Sequence, residues 1–307
     1  MRWWARALRN PARPDGLREP MRRVSILALA CALLAPAAAH ATFPGGTGRI
    51  AMDLRGKNLD DAGQASYRAV MTIKQDSKGD KFVRECQITG AGVRTGDCSI
   101  DYRSPAWSAS GRRLAFDAGR SLALMNADGS GFRLLAPFTT GDGEPAWSRS
   151  GKQLAFTGQG GIWVADPVSR RVKRIVRRGS GPDWSSRNLI AFERGDGIFS
   201  VKPSGRGVRR IARGRDPGWA AGGKSLVLAR RGGIYTVRAD GKKLKRIVRC
   251  SGCSTPVLSP NGRLVAFEQD GVQIAQVSNG KRLIPLIKDF RSATDAIDGS
   301  NPAWQSR

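Results

Sequence analysis

The residues Pro145-Ala146-Trp147-Ser148-Arg149-Ser150-Gly151-Lys152-Gln153-Leu154-Ala155-Phe156 decide the fold, because their pattern returns along most of the chain. A Pro-x-Trp step leads into a short polar turn with glycine, and a basic or polar residue then opens an apolar triplet. The unit recurs as Pro105-Ala106-Trp107 before Arg113-Leu114-Ala115-Phe116, and as Pro182-Asp183-Trp184 before Leu189-Ile190-Ala191-Phe192. Pro217-Gly218-Trp219 precedes Leu226-Val227-Leu228, and Pro256-Val257-Leu258 precedes Leu264-Val265-Ala266-Phe267 with leucine in place of tryptophan. A last copy, Pro302-Ala303-Trp304, has no apolar strand after it, whereas Arg49-Ile50-Ala51-Met52 is a triplet with no Pro-x-Trp before it.

The aligned Trp/Leu positions lie 40, 37, 35, 39 and 46 residues apart, the length of a β-propeller blade. Each unit holds about four short apolar runs separated by glycine-rich turns. The unit of Trp147 shows them as Ala146-Trp147, Leu154–Phe156, Gly161–Ala165 and Val172–Val176. Small sheets of this kind have raw edges that radial closure protects. The two orphan halves at the termini make one unit if the chain closes on itself. The expectation is therefore all-β: a six-bladed β-propeller of four-stranded antiparallel blades, closed by the C-terminal Pro-x-Trp strand beside the N-terminal strand. A solenoid would share the period but would not explain complementary termini, and no Pro/Ser-rich linker divides the array into two domains.

These residues carry a resemblance. The Pro-x-Trp-Ser-x-x-Gly, Leu-Ala-Phe, Ile-Tyr/Trp-x-Val and Ala-Asp-Gly series resembles the TolB-type β-propeller repeats, over roughly residues 48–307. The match is to the propeller only, without the N-terminal domain that precedes it in TolB. Similar repeats also cap prolyl-oligopeptidase-type peptidases, but no Gly-x-Ser-x-Gly elbow follows here. The resemblance implies an exported, non-catalytic interaction scaffold.

The N-terminus reads as an address. Met21-Arg22-Arg23, the apolar run 24–37 and Ala39-His40-Ala41 have the layout of a cleaved signal peptide, so residues 1–41 are expected to be an N-terminal extension and signal peptide, with translation starting at Met21. The rival is a basic extension on an uncleaved anchor. Residues 42–307 then form a single propeller domain that is exported to the periplasm, cell envelope or exterior. The 307 residues contain one histidine, His40. The mature chain has none, which excludes Ser-His-Asp and Cys-His mechanisms and imidazole metal ligands. The whole chain carries 52 Lys+Arg against 25 Asp+Glu, a net +27, and +22 remains after residue 41, so the charge belongs to the folded domain.

Four cysteines lie beyond the signal peptide. Their even number in an exported chain favours disulfides, and proximity in sequence suggests Cys86–Cys98 and Cys250–Cys253. A four-thiolate zinc site and a redox Cys-x-x-Cys are the sharper alternatives; Cys86 and Cys98 lack close ligand spacing, and Cys250 and Cys253 do not open a helix. Asn126-Ala127-Asp128-Gly129 has the look of a calcium loop, but Pro137 stands where the twelfth-position acid belongs, so a hairpin turn is the expectation. The repeated tryptophans read as packing between blades. No metal or cofactor is expected.

The cations are patterned. Arg170-Arg171-Val172-Lys173-Arg174-Ile175-Val176-Arg177-Arg178 fills the last strand of the Trp147 unit. Arg206, Arg209, Arg210, Arg213 and Arg215 mark the next, and Lys242-Lys243-Leu244-Lys245-Arg246-Ile247-Val248-Arg249 the one after. A last strand lies on the outer rim, so a basic arc is expected on the wall of the cylinder. One explanation is that edge lysines and arginines prevent sheet-to-sheet aggregation. The other is an electrostatic face for a polyanion, such as an anionic envelope polymer, lipid headgroups or extracellular nucleic acid. Nucleic acid is disfavoured, because those strands contain no aromatic residue to stack a base.

The residues before each proline, Ser104, Glu144, Gly181, Asp216, Thr255 and Asn301, should converge at the channel mouth. Solvation of the channel is the plain reading. The alternative function is a small-molecule hydrolase, lyase or lactonase in which Glu144 and Asp216 act as acid and base. The leading expectation is a monomeric, non-catalytic scaffold for a protein or polyanion, in peripheral contact with the envelope.

Overall fold

The computed structural model describes residues 47–60, 63–73, 81–88, 94–96, 102–119, 121–137, 143–282 and 295–306. Its elements are all strands. The N-terminal part supplies β1 (Thr47–Asp60), β2 (Gly63–Ile73), β3 (Lys81–Ile88) and β4 (Arg94–Gly96). The Trp107 blade is β5 (Tyr102–Trp107), β6 (Arg113–Ala118), β7 (Ser121–Asn126) and β8 (Arg133–Pro137). The Trp147 blade is β9 (Gly143–Trp147), β10 (Leu154–Gly158), β11 (Gly161–Ala165) and β12 (Val172–Val176). The Trp184 blade is β13 (Ser180–Trp184), β14 (Ile190–Arg194), β15 (Gly197–Val201) and β16 (Arg209–Arg213). The Trp219 blade is β17 (Arg215–Trp219), β18 (Ser225–Arg230), β19 (Gly233–Arg238) and β20 (Lys245–Arg249). The Leu258 blade shows β21 (Ser254–Leu258), β22 (Leu264–Glu268) and β23 (Val272–Gln276), and β24 (Asp295–Ser306) ends the chain.

Every blade is an antiparallel meander in sequence order, with the Pro-x-Trp strand at one edge. Those strands are the inner ones, because β5, β9, β13, β17 and β21 pack against one another in succession and β24 closes the circuit by packing on both β21 and β5. The ring is a β-propeller of four-stranded antiparallel blades.

The expected six equal blades are corrected to five. Where a sixth would stand, β24, β1, β2, β3 and β4 form a five-stranded sheet. Its β1 and β2 run for 14 and 11 residues, against five or six in the blades. In the blades a Gly-containing polar stretch ends the second strand, whereas Arg55-Gly56-Lys57-Asn58 stays paired with β2 and the strand continues to Asp60. The termini do meet: Ile50 pairs with Trp304 and Ala51 with Ala303. In the Leu258 blade the fourth position is marked by a bridge between Ala275 and Arg282. The 1–41 segment, the Cys86–Cys98 pairing and the side chains of Asn301 and Trp304 lie outside the described residues.

The apolar triplets supply the core. Phe116, Phe156, Phe192 and Phe267 are fully buried, as are Trp147, Trp184 and Trp219. The tryptophans pack between blades: Trp147 Nε1 donates to the Ala106 carbonyl of the preceding blade at 3.2 Å, and Arg113 of that blade lies 4.6 Å over its ring. Each removes its large apolar surface from water where two sheets meet. The glycine that opens the third strand of the Trp147, Trp184 and Trp219 blades answers to a close approach. A Cβ at Gly233 would stand 1.9 Å from the Val248 carbonyl oxygen, and one at Gly161 2.4 Å from that of Val176.

Candidate functional site

The first strand of each blade begins with a left-handed residue. Ser104, Glu144, Gly181, Asp216 and Thr255 have φ of 50°, 42°, 58°, 52° and 49°. Each stands where the pairing with the second strand slips, as between Ser180 and Asp183 or Arg215 and Gly218. Four of the five are not glycine, and a left-handed L-residue costs roughly 1–2 kcal/mol. The bulge turns these side chains along the ring and frees their amides for the neighbouring blade.

Those amides are held by carboxylates. The Glu144 carboxylate accepts from the Gly181 amide at 2.7 Å and from the Thr157 hydroxyl. The Asp216 amide donates to Glu193 Oε1 at 2.7 Å, and the Thr255 amide donates to Asp216 Oδ2 at 3.1 Å. Ser104, Glu144, Asp216 and Thr255 are all buried, and Glu144, Asp216 and Thr255 take part in bonds that link neighbouring blades. Burial, then the charges of Asp216 and Glu144, push the Glu193 carboxyl up to about 8. Burial also raises Asp216.

Glu193 was not among the sequence candidates. It follows the apolar triplet Ile190-Ala191-Phe192, and the same place in other blades holds Asp117, Thr157, Ala229 and Glu268. A polar residue after the buried phenylalanine in four of the five blades was the available signal. Asp117 meets Arg103 at 3.3 Å. A second acid sits deeper still: Asp183 is fully buried, accepts the Trp184 and Trp219 amides, and is raised well above the usual carboxylate range by burial.

The cationic strands are the second candidate. β12, β16 and β20 lie at the outer edge of their blades. They carry Lys173-Arg174-x-x-Arg177, Arg209-Arg210-x-x-Arg213 and Lys245-Arg246-x-x-Arg249, each 36 residues from the last. All these side chains are exposed, as are Arg171, Lys242 and Lys243. They are not equally available. Asp196, in the turn before β15, pairs with Arg210 at 2.9 Å and Arg213 at 2.7 Å. Arg209 reaches the Ala239 carbonyl of the next blade, and Arg174 folds back on the Val176 and Arg177 carbonyls. Strand register also brings aromatics alongside: Trp163 faces Arg174, Phe199 faces Arg210, and Tyr235 faces Arg246. Arg174 lies 5.7 Å over Trp163 and Arg194 4.2 Å over Phe199, so a cation already covers a face of those rings.

At the edge of the Trp219 blade, Cys250 and Cys253 form a disulfide. The Asn126 loop is a closed turn, with the Ser130 amide on Asp128 Oδ1 and the Asn126 side-chain amide donating to Ser130 Oγ.

No protein-family model matches the sequence, and no curated protein matches it. Solved structures do. TolB from Acinetobacter baumannii superposes with a TM-score of 0.65 at 19% identity, over 86% of this chain and 68% of that one. The putative TolB from Agrobacterium tumefaciens gives 0.55 at 17% identity, over 78% and 88%. A propeller in a nidogen/laminin complex gives 0.59 at 10% identity, over 81% and 98%. The likeness is one of fold: this chain has a TolB-like β-propeller.

Proposed function

We propose that the protein is an exported, non-catalytic propeller scaffold that holds an acidic partner, a protein or an anionic envelope polymer, on its outer strands. The observation that carries this reading is the threefold repeat of Lys/Arg-Arg-x-x-Arg on β12, β16 and β20. Among the described residues no carboxylate forms an ion pair with Lys173, Lys245, Arg246 or Arg249. Aggregation control alone would be served by mixed charge. The likeness to TolB, the signal-like N-terminus and the Cys250–Cys253 bridge support export of the 42–307 domain. Scaffolding suits a rigid ring whose axial polar groups are occupied in joining blades.

The test is capture of partners from the producing cell's envelope and medium by the immobilised protein, with low-salt and high-salt washes. Lys173→Glu with Lys245→Glu and Arg249→Glu should release the partner. Retention by that variant would remove the rim from the docking surface.

A second reading has one observation in its favour. Glu193, protonated near neutral pH, adjoins Asp216, as an acid–base pair would. In a small-molecule enzyme of that kind, Glu144→Gln and Asp216→Asn would abolish turnover and leave partner capture intact.

A further inference from the structure

The two ends of the ring expose different chemistry. In a four-stranded meander, the turn from first to second strand and the turn from third to fourth leave at the same end. Neighbouring blades are bonded turn to turn there. Arg113 donates to the Gly151 carbonyl at 2.9 Å, Arg187 to Gly222 at 3.1 Å, and Arg133 to Pro167 at 3.1 Å. All five blades therefore present these turns on one side, and the Glu144–Glu193–Asp216 cluster belongs to the opposite side.

The turn-bearing side is studded with exposed cations, among them Arg149, Lys152, Lys224, Lys242 and Lys243. The acids in the described turns there are Asp128, Asp166 and Asp240, and each is engaged in its own turn. Asp128 accepts the Ser130 amide, Asp166 the Val168 and Ser169 amides, and Asp240 the Lys242 amide while pairing with Arg238. Charge alone does not single out this side, since Arg178, Arg194 and Arg231 are exposed on the other. The apolar side chains do. The exposed large hydrophobics among the described residues are Leu134, Val168, Val208 and Leu244. Val168 stands in the turn after β11 and is 84% exposed; Val208 and Leu244 immediately precede β16 and β20, and Leu134 is the second residue of β8. All four emerge at or beside the cationic turns.

A soluble polyanion would engage the lysines and leave those aliphatic side chains in water. A bilayer surface takes both, phosphates meeting the cations and the headgroup region receiving the apolar tips. We propose that the turn-bearing end docks on a bilayer rich in anionic phospholipid, with Val168 and Leu244 entering the headgroup layer. The reading rests on the scaffold function above and adds an orientation: the carboxylate end faces away from the lipid and the outer strands stay open to a partner.

Co-sedimentation with phosphatidylcholine vesicles, with and without phosphatidylglycerol, tests it. The protein should pellet with the anionic vesicles only. R149Q, K152Q, K242Q and K243Q should each weaken binding roughly fivefold at low salt. Val168→Ser with Leu244→Ser should weaken the binding that survives high salt, where charges are screened. Arg178→Gln with Arg231→Gln, at the far end, should change neither. Equal loss from the far-end pair, or unaltered binding by the Val168/Leu244 variant, would overturn the proposal. So would soluble polyphosphate binding as tightly as the vesicles. Envelope capture lost by the Lys173/Lys245/Arg249 variant with vesicle binding kept supports both readings. Vesicle binding lost by that variant as well overturns the end-on orientation.

Discussion

The Asp216 amide donates to the Glu193 carboxylate at 2.7 Å, and the Asp216 carboxylate accepts the Thr255 amide at 3.1 Å. Two carboxyl groups thus tie three consecutive blades near the axis, and both are harder to ionise folded than unfolded. The folded protein keeps a proton that the unfolded chain gives up above the ordinary glutamate value of 4.5. Stability from this source is complete below that value and declines as pH rises toward about 8, with a slope of at most ~1.4 kcal/mol per pH unit. Urea midpoints measured from pH 5 to 8 should fall in the wild type. Glu193→Gln keeps an acceptor for the Asp216 amide and should flatten the curve; an unchanged slope would assign the pH dependence elsewhere.

Asp183 occupies the middle of Pro182-Asp183-Trp184, where other blades carry alanine, glycine or valine. Its carboxyl satisfies the Trp184 and Trp219 amides, the second in the next blade. Asp183→Ala leaves those buried donors unpaired and should cost about 1–3 kcal/mol in chemical denaturation. Asp183→Asn retains one carbonyl oxygen and should lose less. An alanine variant as stable as wild type would show that water replaces the carboxyl.

Trp147 fills the seam between two blades and is fully buried. Trp147→Ala should destabilise by roughly 3–5 kcal/mol. Trp147→Phe should recover most of that loss but not the bond to the Ala106 carbonyl. Equal losses in both variants would make that hydrogen bond, and not ring volume, the dominant contribution.

Thr255 combines a β-branched side chain, a φ of 49° and a buried hydroxyl without a hydrogen-bond partner. Thr255→Gly removes the strain and the orphaned hydroxyl at the cost of unfolded-chain entropy, and should stabilise by about 1 kcal/mol net. A lowered thermal midpoint would mean that the Thr255 methyl packs more strongly than the strain opposes.

The Cys250–Cys253 bridge closes a very short loop, so the chain-entropy model allows about 2 kcal/mol. Replacing both by serine should lower stability by no more than that and leave the fold's circular dichroism unchanged. Loss of the fold would show that the bridge organises the entry to the Leu258 blade.

Pro-x-Trp and Leu-Ala-Phe declared the propeller in the sequence because a repeat must bury the same surface at the same place in every blade. The meeting of Ile50 with Trp304 followed from the same logic. The blade count did not: Arg49–Met52 resembles the start of an ordinary second strand, and only the long pairing of β1 with β2 shows a five-stranded sheet in that place. For the axial acids, Glu144 and Asp216 were legible from their step before proline, whereas Glu193 was hidden one strand away. Glu193 stands in β14, and it is joined to Asp216 by the amide that the bulge in β17 leaves free.

The repeat, the core residues, the positive charge and its concentration in the last strands were legible from the residues in order, since these depend on composition and period alone. Folding shows which cations are already engaged: Asp196, in the turn before β15, holds Arg210 and Arg213 of β16, 14 and 17 residues further on. It also decided that the axial acids are buried, and that Val168, Val208 and Leu244 share one side with the lysines. Burial and pairing arise where strands and blades are brought together, and no local pattern of residues encodes them.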